Sequence, residues 1–392
     1  MPRPTEIRAT GGPKSLATLA REFVSIPTAS FKEQRVHAYL RRFAEDRGLA
    51  YREDSAGNAI IEYRRGRRTT PLVLGAHTDH PGFVVTKVSG RRLELEFRGG
   101  LSAEYGKGER VRIYPGDHPD SNPNPSRQGL PTAEITSIDS APSAQRFVRR
   151  LRGAKATLAP GATARVGDLA LWDVEEARVR GPLLHARQCD DLGGGLAVLH
   201  TFERLLEERP NAHVVGLFTR AEEVGLVGAA AVMQTGLLPE DALLVAVECS
   251  SMAGGRAEQG GGPIIRVGDL QHIFSPRITM WMTQVAKELQ AADPAFRYQR
   301  KLMDGGTTEA TAYDLLGVES GAACLALGNY HNAGPRGRIA AETIHLGDVE
   351  GLARLFVAMA QNTRRVDEVY ATAVKRWRAI ARDAEKRLRA GE

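Results

Sequence analysis

The sequence predicts an α/β protein, a mostly parallel twisted sheet with helices on both faces, into which a small β-rich domain is inserted. Three observations predict it. Short, almost wholly apolar runs at 71–77 (PLVLGAH), 212–218 (AHVVGLF), 242–247 (ALLVAV) and 322–327 (AACLAL) are too short for helices and suit strands buried on both faces. Segments of helical periodicity separate several of these runs, as crossover connections between parallel strands require. From residue 84 to about 182 the pattern changes to short alternating runs broken by Gly and Pro.

Residues 16–24 and 33–47 read as amphipathic helices, the second stopped at Gly48, and 58–63 (NAIIEY) reads as a short strand. Inside the insert, 93–97, 110–114, 133–137, 164–166 and 169–172 read as strands. The stretch 115–131 (PGDHPDSNPNPSRQGLP) holds too many breakers for helix or strand. Helical patterns then follow at 193–206, 225–234, 276–291 and 346–361, the last able to run on into a basic tail. No internal repeat is present. The expected division is a discontinuous unit, residues 1–84 and 184–392, interrupted by an insert at 85–183.

Composition narrows the function classes. Hydrophobic residues make up 42% and charged residues 26%, which excludes collagen, low-complexity disorder and a disulfide scaffold. The first 24 residues lack the apolar core of a signal peptide, and no apolar run reaches bilayer length, so a soluble, cytoplasmic protein without a membrane partner is expected. Cys189, Cys249 and Cys324 form no CxxC pair, which fits a reducing compartment and not a zinc ribbon. The net charge of +6 is spread over 64–68 (RRGRR), 146–152 (RFVRRLR) and the tail 364–389, where acids interrupt it. A mixed-sign surface and no nucleic-acid partner are expected from that spread.

The chemistry gathers where the buried runs end. His77 and Asp79 close the first, Glu222 and Glu223 follow the second, Glu248 closes the third, and His331 follows the last. Asp190 and Asp191 precede a glycine-rich helix start. In open α/β sheets ligands collect at the carboxyl ends of the strands, so five segments can deliver His, Asp and Glu to one cleft. Taken singly, each has a plainer reading: a packed histidine, a Glu pair favourable to a helix dipole, an Asp at a helix cap, cysteines as small apolar fillers. The set argues for a metal site. Imidazole and carboxylate without paired thiolates suit zinc, cobalt or manganese in a hydrolytic centre. Two divalent ions balance the charges of Asp190, Glu223, Glu248 and one hydroxide, which leaves Glu222 free to act as a base.

These segments resemble the tetrahedral aminopeptidase family, which includes glutamyl and deblocking aminopeptidases, among the di-zinc exopeptidases. The matching stretches are 76–85 (AHTDHPGFVV), 188–194 (QCDDLGG), 218–228 (FTRAEEVGLVG), 245–254 (VAVECSSMAG), 305–310 (GGTTEA) and 325–332 (LALGNYHN), in the expected order. The resemblance implies that His77 and Glu248 bind one metal, that Glu223 and His331 bind the other, and that Asp190 bridges them. It implies Glu222 as general base, Asp79 as the carboxylate that orients His77, and Gly305, Gly306 and Thr307 as substrate-binding positions. It further implies a cis peptide between Asp190 and Asp191, two divalent cations (Zn2+ first, Co2+ or Mn2+ as alternatives), peptide substrates, and a homo-oligomer from dimer to dodecamer built through the insert. His80, Glu248 and Leu192 stand where many members carry Glu, Asp and Arg, and GGTTEA replaces a Gly-Gly-Thr-Asp run.

The insertion point favours this branch: 113 residues separate His77 from Asp190 (190 − 77), but only 83 separate Glu248 from His331 (331 − 248). A metal-dependent deacylase or carboxypeptidase of the related group stays open as an alternative.

Overall fold

The computed structural model describes residues 14–116, 127–142, 149–255 and 257–391. Most of the 115–131 stretch and the start of the 146–152 basic cluster lie outside them.

Helices α1 (Leu16–Phe23) and α2 (Gln34–Arg47) open the chain, and α2 ends on Gly48 in the left-handed region, φ +64°. Strands β1 (Ala50–Glu53), β2 (Ala59–Arg65) and β3 (Leu72–His77) lead to a six-stranded closed barrel. Its strands are β4 (Gly82–Ser89), β5 (Arg92–Arg98), β6 (Arg110–Tyr114), β7 (Thr132–Pro142), β8 (Arg149–Leu158) and β9 (Leu169–Trp172). The expected strand at 164–166 is absent. Val166 is 66% exposed beside a turn at Gly167, φ +92°, and has no neighbour to pair with.

Strands β10 (Ala177–Arg180) and β11 (Leu183–Ala186) return the chain to α3 (Cys189–Glu208). This helix begins four residues earlier than its periodicity suggests, with non-helical backbone at Asp190 and Asp191. Then come β12 (Ala212–Thr219), α4 (Val227–Thr235), β13 (Leu243–Ser251), β14 (Ile264–Arg266), α5 (Pro276–Ala292), β15 (Gln299–Lys301), α6 (Glu309–Leu315), β16 (Ser320–Leu327), β17 (Glu342–His345), α7 (Leu346–Gln361) and α8 (Val366–Ala390).

The main sheet runs β1-β2-β12-β3-β13-β16-β14-β15, and its four central strands, β12, β3, β13 and β16, are parallel. These are the four apolar runs. Alternate residues face two cores: Val214 and Phe218 join the larger one under α3, α5 and α7, and Val215 and Leu217 join the one under α4 and α6. A Cβ at Gly216 would stand 2.8–2.9 Å from Phe202 and Val198, so α3 can lie this close to β12 only over glycine.

The barrel has its own core. Phe83 meets Trp172 edge-on at 5.1 Å and Phe97 at 4.8 Å, with Leu95, Val111 and Ile135 around them. Gly153 lets β8 pass β5, because a Cβ there would sit 2.6 Å from the carbonyl oxygen of Leu95. The barrel is tied to the main unit by Arg98 donating to the Ser30 carbonyl at 3.0 Å and by Arg187 donating to the Tyr114 hydroxyl at 2.9 Å.

Helix α8 packs against α5 through its first turns, where Val366 is buried and Val369 half-buried. Further along, Trp377, Ile380 and Leu388 are exposed. Residues 375–390 carry seven Lys and Arg against two Asp and Glu. Among the described residues no helix is long and apolar enough to cross a membrane.

Candidate metal centre

The register of the sheet brings the site together. Thr219 pairs with His77, and Ala246 pairs with Gly75, so Glu248 comes level with His77 two residues further on. Beyond β12 the chain turns back on itself through Ala221, φ +53°, and Leu226, φ +59°. Glu33 makes that turn possible: buried, it accepts bonds from Arg220 Nε at 2.9 Å and the Ala221 amide at 3.0 Å. The turn presents Glu222 and Glu223 to the same edge. His331 arrives from a tight turn after β16 in which Asn329, His331 and Asn332 all have positive φ.

Two groups of possible ligands result: His77, Asp190 and Glu248, and Asp190, Glu223 and His331, each with ligand atoms within 4.8 Å of one another. They share Asp190. Its Oδ1 lies 3.4 Å from His77 Nε2 and its Oδ2 lies 3.4 Å from His331 Nε2. Glu223 Oε1 is 3.1 Å from His331 Nε2, and Glu222 Oε2 is 4.0 Å from His77 Nε2. Glu222 also groups with His77 and Glu223.

Around them stands a layer of supports. Asp79 places Oδ1 3.3 Å from His77 Nδ1, accepts from Ser30 Oγ at 2.6 Å, and receives the amides of Glu222 and Glu223 at 3.0 and 3.2 Å. Glu342 accepts the Asp190 amide at 3.0 Å, and His80 bonds the Asp190 carbonyl. His331 Nδ1 bonds the carbonyl of Gly100, in the segment after β5. The peptide between Asp190 and Asp191 is cis.

The electrostatics ask for cations. Burial pushes the pKa of Glu222 well up and that of Glu248 to about 8, and it also raises Glu223. Burial acts against the charged form of both histidines, but Glu222, Asp190 and Asp79 outweigh it at His77, and Glu223 and Asp190 at His331, so both stand well above the ordinary imidazole value. The same imidazoles overcome burial at Asp190 and hold it below the usual carboxylate range. Asp190 Oδ1 and Glu223 Oε1 are buried with only the imidazole edges beside them and no well-aligned hydrogen bond. A hard or borderline divalent ion satisfies such oxygens and removes the repulsion, so the residues fit the metals that this donor set suggests.

The cluster lies in a cleft of about 890 Å3, which Gly305, Gly306 and Thr307 also line. Ser30, Glu33, Gly100 and Glu342 were not legible as parts of the site. Ser30 read only as a residue before a helix and Glu33 as the first residue of that helix, and Glu342 is a lone acid in a short mixed segment.

A carboxylate and imidazole cluster at the carboxyl edge of a parallel sheet defines a metal-dependent hydrolase. The chain belongs to the M42 glutamyl aminopeptidase family, whose model matches residues 157–355, and it is accordingly a metal-dependent aminopeptidase. No curated protein matches it. Among solved structures it resembles the TET1 peptidase of Pyrococcus horikoshii, described as assembling into a tetrahedron or a large octahedral shell (TM-score 0.68, 22% identity, 88% of this chain and 99% of that one). It also resembles an aminopeptidase of the archaeon Desulfurococcus kamchatkensis (0.72, 20%, 88% and 94%) and a TET aminopeptidase of a marine-sediment thaumarchaeote (0.73, 20%, 90% and 99%). At these identities the likeness establishes the fold.

Proposed function

We propose that the chain holds two divalent cations, one by His77, Asp190 and Glu248 and the other by Asp190, Glu223 and His331, and removes N-terminal residues from peptides. The observation that carries this is the pair of His-Asp-Glu groups sharing one aspartate. When bound, the cations supply Lewis acidity, which makes a water acidic and polarises the scissile carbonyl. Glu222, beside His77, accepts the proton of the attacking water on its carboxylate and returns it to the leaving amine. Asp79 fixes the ring of His77 and, through two amides, the position of Glu222 and Glu223. Gly305, Gly306 and Thr307 border the space for the substrate. Zn2+ suits the mixed imidazole and carboxylate set, with Co2+ or Mn2+ as replacements.

In this reading residues 1–84 and 184–392 form the catalytic unit and 85–183 the insert through which subunits associate. Its support is a barrel that contributes no member of the ligand groups, together with neighbours described as a dodecamer and as tetrahedral or octahedral assemblies. The test compares peptides with free, acetylated and amidated ends on protein whose metal content has been measured. Release of the first residue from free N-termini only is expected. Loss of the acetyl group would indicate a deacylase, and release from the C-terminus a carboxypeptidase.

A further inference from the structure

We infer that the side chain of the substrate's N-terminal residue rests against an aliphatic wall formed by Leu270, Met303, Ala312 and Leu315, so that the enzyme removes residues of leucine and methionine type in preference to acidic ones. The inference rests on the aminopeptidase reading above.

All four residues line the cleft that holds His77 and Glu248. Leu270 is 60% and Leu315 68% exposed, although neither rides on a loose support. Asp269, itself buried, caps the turn of Leu270 by accepting the amides of Gln271 and His272 at 2.8 and 2.9 Å. Its other oxygen takes the amide of Thr308 at 2.9 Å and the hydroxyl of Thr311 at 2.6 Å, at the start of α6. The Leu270 amide donates to Gly306, and His272 reaches Asp314 at 3.1 Å. The turn and the helix are thus clamped to each other, and two leucines are held toward water at fixed positions in the cleft that also holds the reacting groups. A preorganised apolar surface gains by being covered and loses little by ordering.

Charge decides which side chain covers it. The acidic residues lining the cleft are Asp190, Glu222, Glu223 and Glu248, all in the metal cluster, so none remains to receive a basic side chain. Arg266 is buried and spends its guanidinium on Ser250 Oγ at 3.0 Å and on the carbonyls of Met303, Gly306 and Gly268 at 2.8, 3.2 and 3.3 Å. It offers no open fork to a substrate carboxylate. Arg150 lines the same cleft from the barrel, its backbone bridged to Ser102. A carboxylate laid on the leucines would give up hydration without a partner, whereas an aliphatic chain gives up none.

The experiment uses the metal-loaded enzyme and the p-nitroanilides of Leu, Met, Glu and Lys, together with calorimetric binding of free leucine and free glutamate. The expected kcat/KM for Leu and Met exceeds that for Glu by about tenfold or more, and leucine binds more tightly than glutamate. Leu315→Arg and Leu270→Arg should each raise KM for the leucine substrate and move the Leu to Glu ratio toward Glu by about tenfold. A parent enzyme that prefers Glu would overturn the wall and leave the aminopeptidase reading standing. Cleavage of none of the four would sink that reading instead, and the two calorimetric affinities would then decide the wall alone. Variants that change the oligomer with an unaltered Leu to Glu ratio would overturn it too, by assigning the leucines to a subunit contact.

Discussion

His77 and His331 stand on either side of Asp190, yet different parts of the molecule hold them. His77 closes β3, and its Nδ1 faces Asp79 twice, bonding the backbone carbonyl at 3.2 Å and standing 3.3 Å from the carboxylate, which Ser30 and the amides of Glu222 and Glu223 fix. Every one of those partners belongs to the main unit. His331 lies in a left-handed turn and gives its Nδ1 to the Gly100 carbonyl, which the barrel supplies. His77 thus has a carboxylate as well as a carbonyl beside its Nδ1, while His331 has a carbonyl alone; either partner fixes the ring, and the carboxylate adds its charge. The two halves of the centre therefore depend unequally on the insert. It holds no member of the ligand groups but supplies the carbonyl that positions His331.

The largest effect expected is at the residue both halves share. Asp190→Ala should empty both metal positions and lower turnover by more than about a thousandfold, whereas His331→Ala should empty mainly one. Metal analysis finding two ions per chain in Asp190→Ala would dissolve the pairing and move the bridge to Asp191. Next comes Glu222→Gln. It should cut kcat by roughly 10²–10⁴ with the metal content intact, because the amide keeps the shape but accepts no proton. Loss of an ion in that variant would make Glu222 a ligand.

The inequality between the two histidines is sharpened by a third pair of changes. Asp79→Asn should weaken metal binding by roughly 10–100-fold without altering the oligomer. Replacing the chain between Val85 and Leu183 by a short linker should give a smaller species that keeps the position at His77 and loses occupancy at His331. Two ions per chain after that excision would show that His331 needs no help from Gly100. An unchanged oligomer in light scattering would remove self-association from the insert.

The smallest effects separate the two regions by pH. Burial, aided by Arg220, pushes His37 in the main unit down to about 4. Its unfolded value is about 6.5, so the chain takes up a proton on unfolding between these limits. The contribution is intact above about pH 6.5 and falls by roughly 3 kcal/mol as the pH drops toward 4. Beside the barrel, burial opposes the charge of Asp173, but Arg112 and Arg127 outweigh it and hold its pKa below the ordinary value. That contribution is intact above about pH 4 and is lost only as the pH falls through the lowered value. Scanning calorimetry should therefore show His37→Gln flattening the loss of Tm between about pH 6.5 and 4.5, and Asp173→Asn flattening the loss below about pH 4. Unaltered slopes in both variants would mean that other groups carry the acid response.

The four central strands were legible because burial on both faces demands continuous apolar runs, and at or just beyond their ends stand most residues of the candidate site. The barrel was only partly so. Strand β8 reads RRLRGAKATL, and its pairing with β7 and β5 is set by neighbours far along the chain. The strand expected at 164–166 failed for the converse reason, since Ala-Arg-Val has the residues of a strand but ends at a turn that leaves Val166 in water. At α3 the Asp-Asp pair had two readings, a helix cap and a metal ligand, and its two members part company. Asp191 caps the helix by taking the Gly194 amide at 3.1 Å, while Asp190 faces the histidines. What remained hidden was support rather than chemistry. Glu33, Glu342 and the Gly100 carbonyl act through backbone groups that residue type does not disclose.

Helix α8 changes how the whole protein behaves as a colloid. Seven basic and two acidic side chains on residues 375–390 give that piece a charge of +5, against +6 for the entire sequence, so the other 376 residues together carry only +1. Retention on a cation exchanger thus reports the tail and not the enzyme. A preparation clipped within α8 would elute early and sit near its own isoelectric point, where proteins come out of solution most readily, with its sheet, barrel and metal centre unchanged. Trp172 and Trp281 are buried and Trp377 is 69% exposed, so the same clipping would also remove the water-facing part of the tryptophan emission.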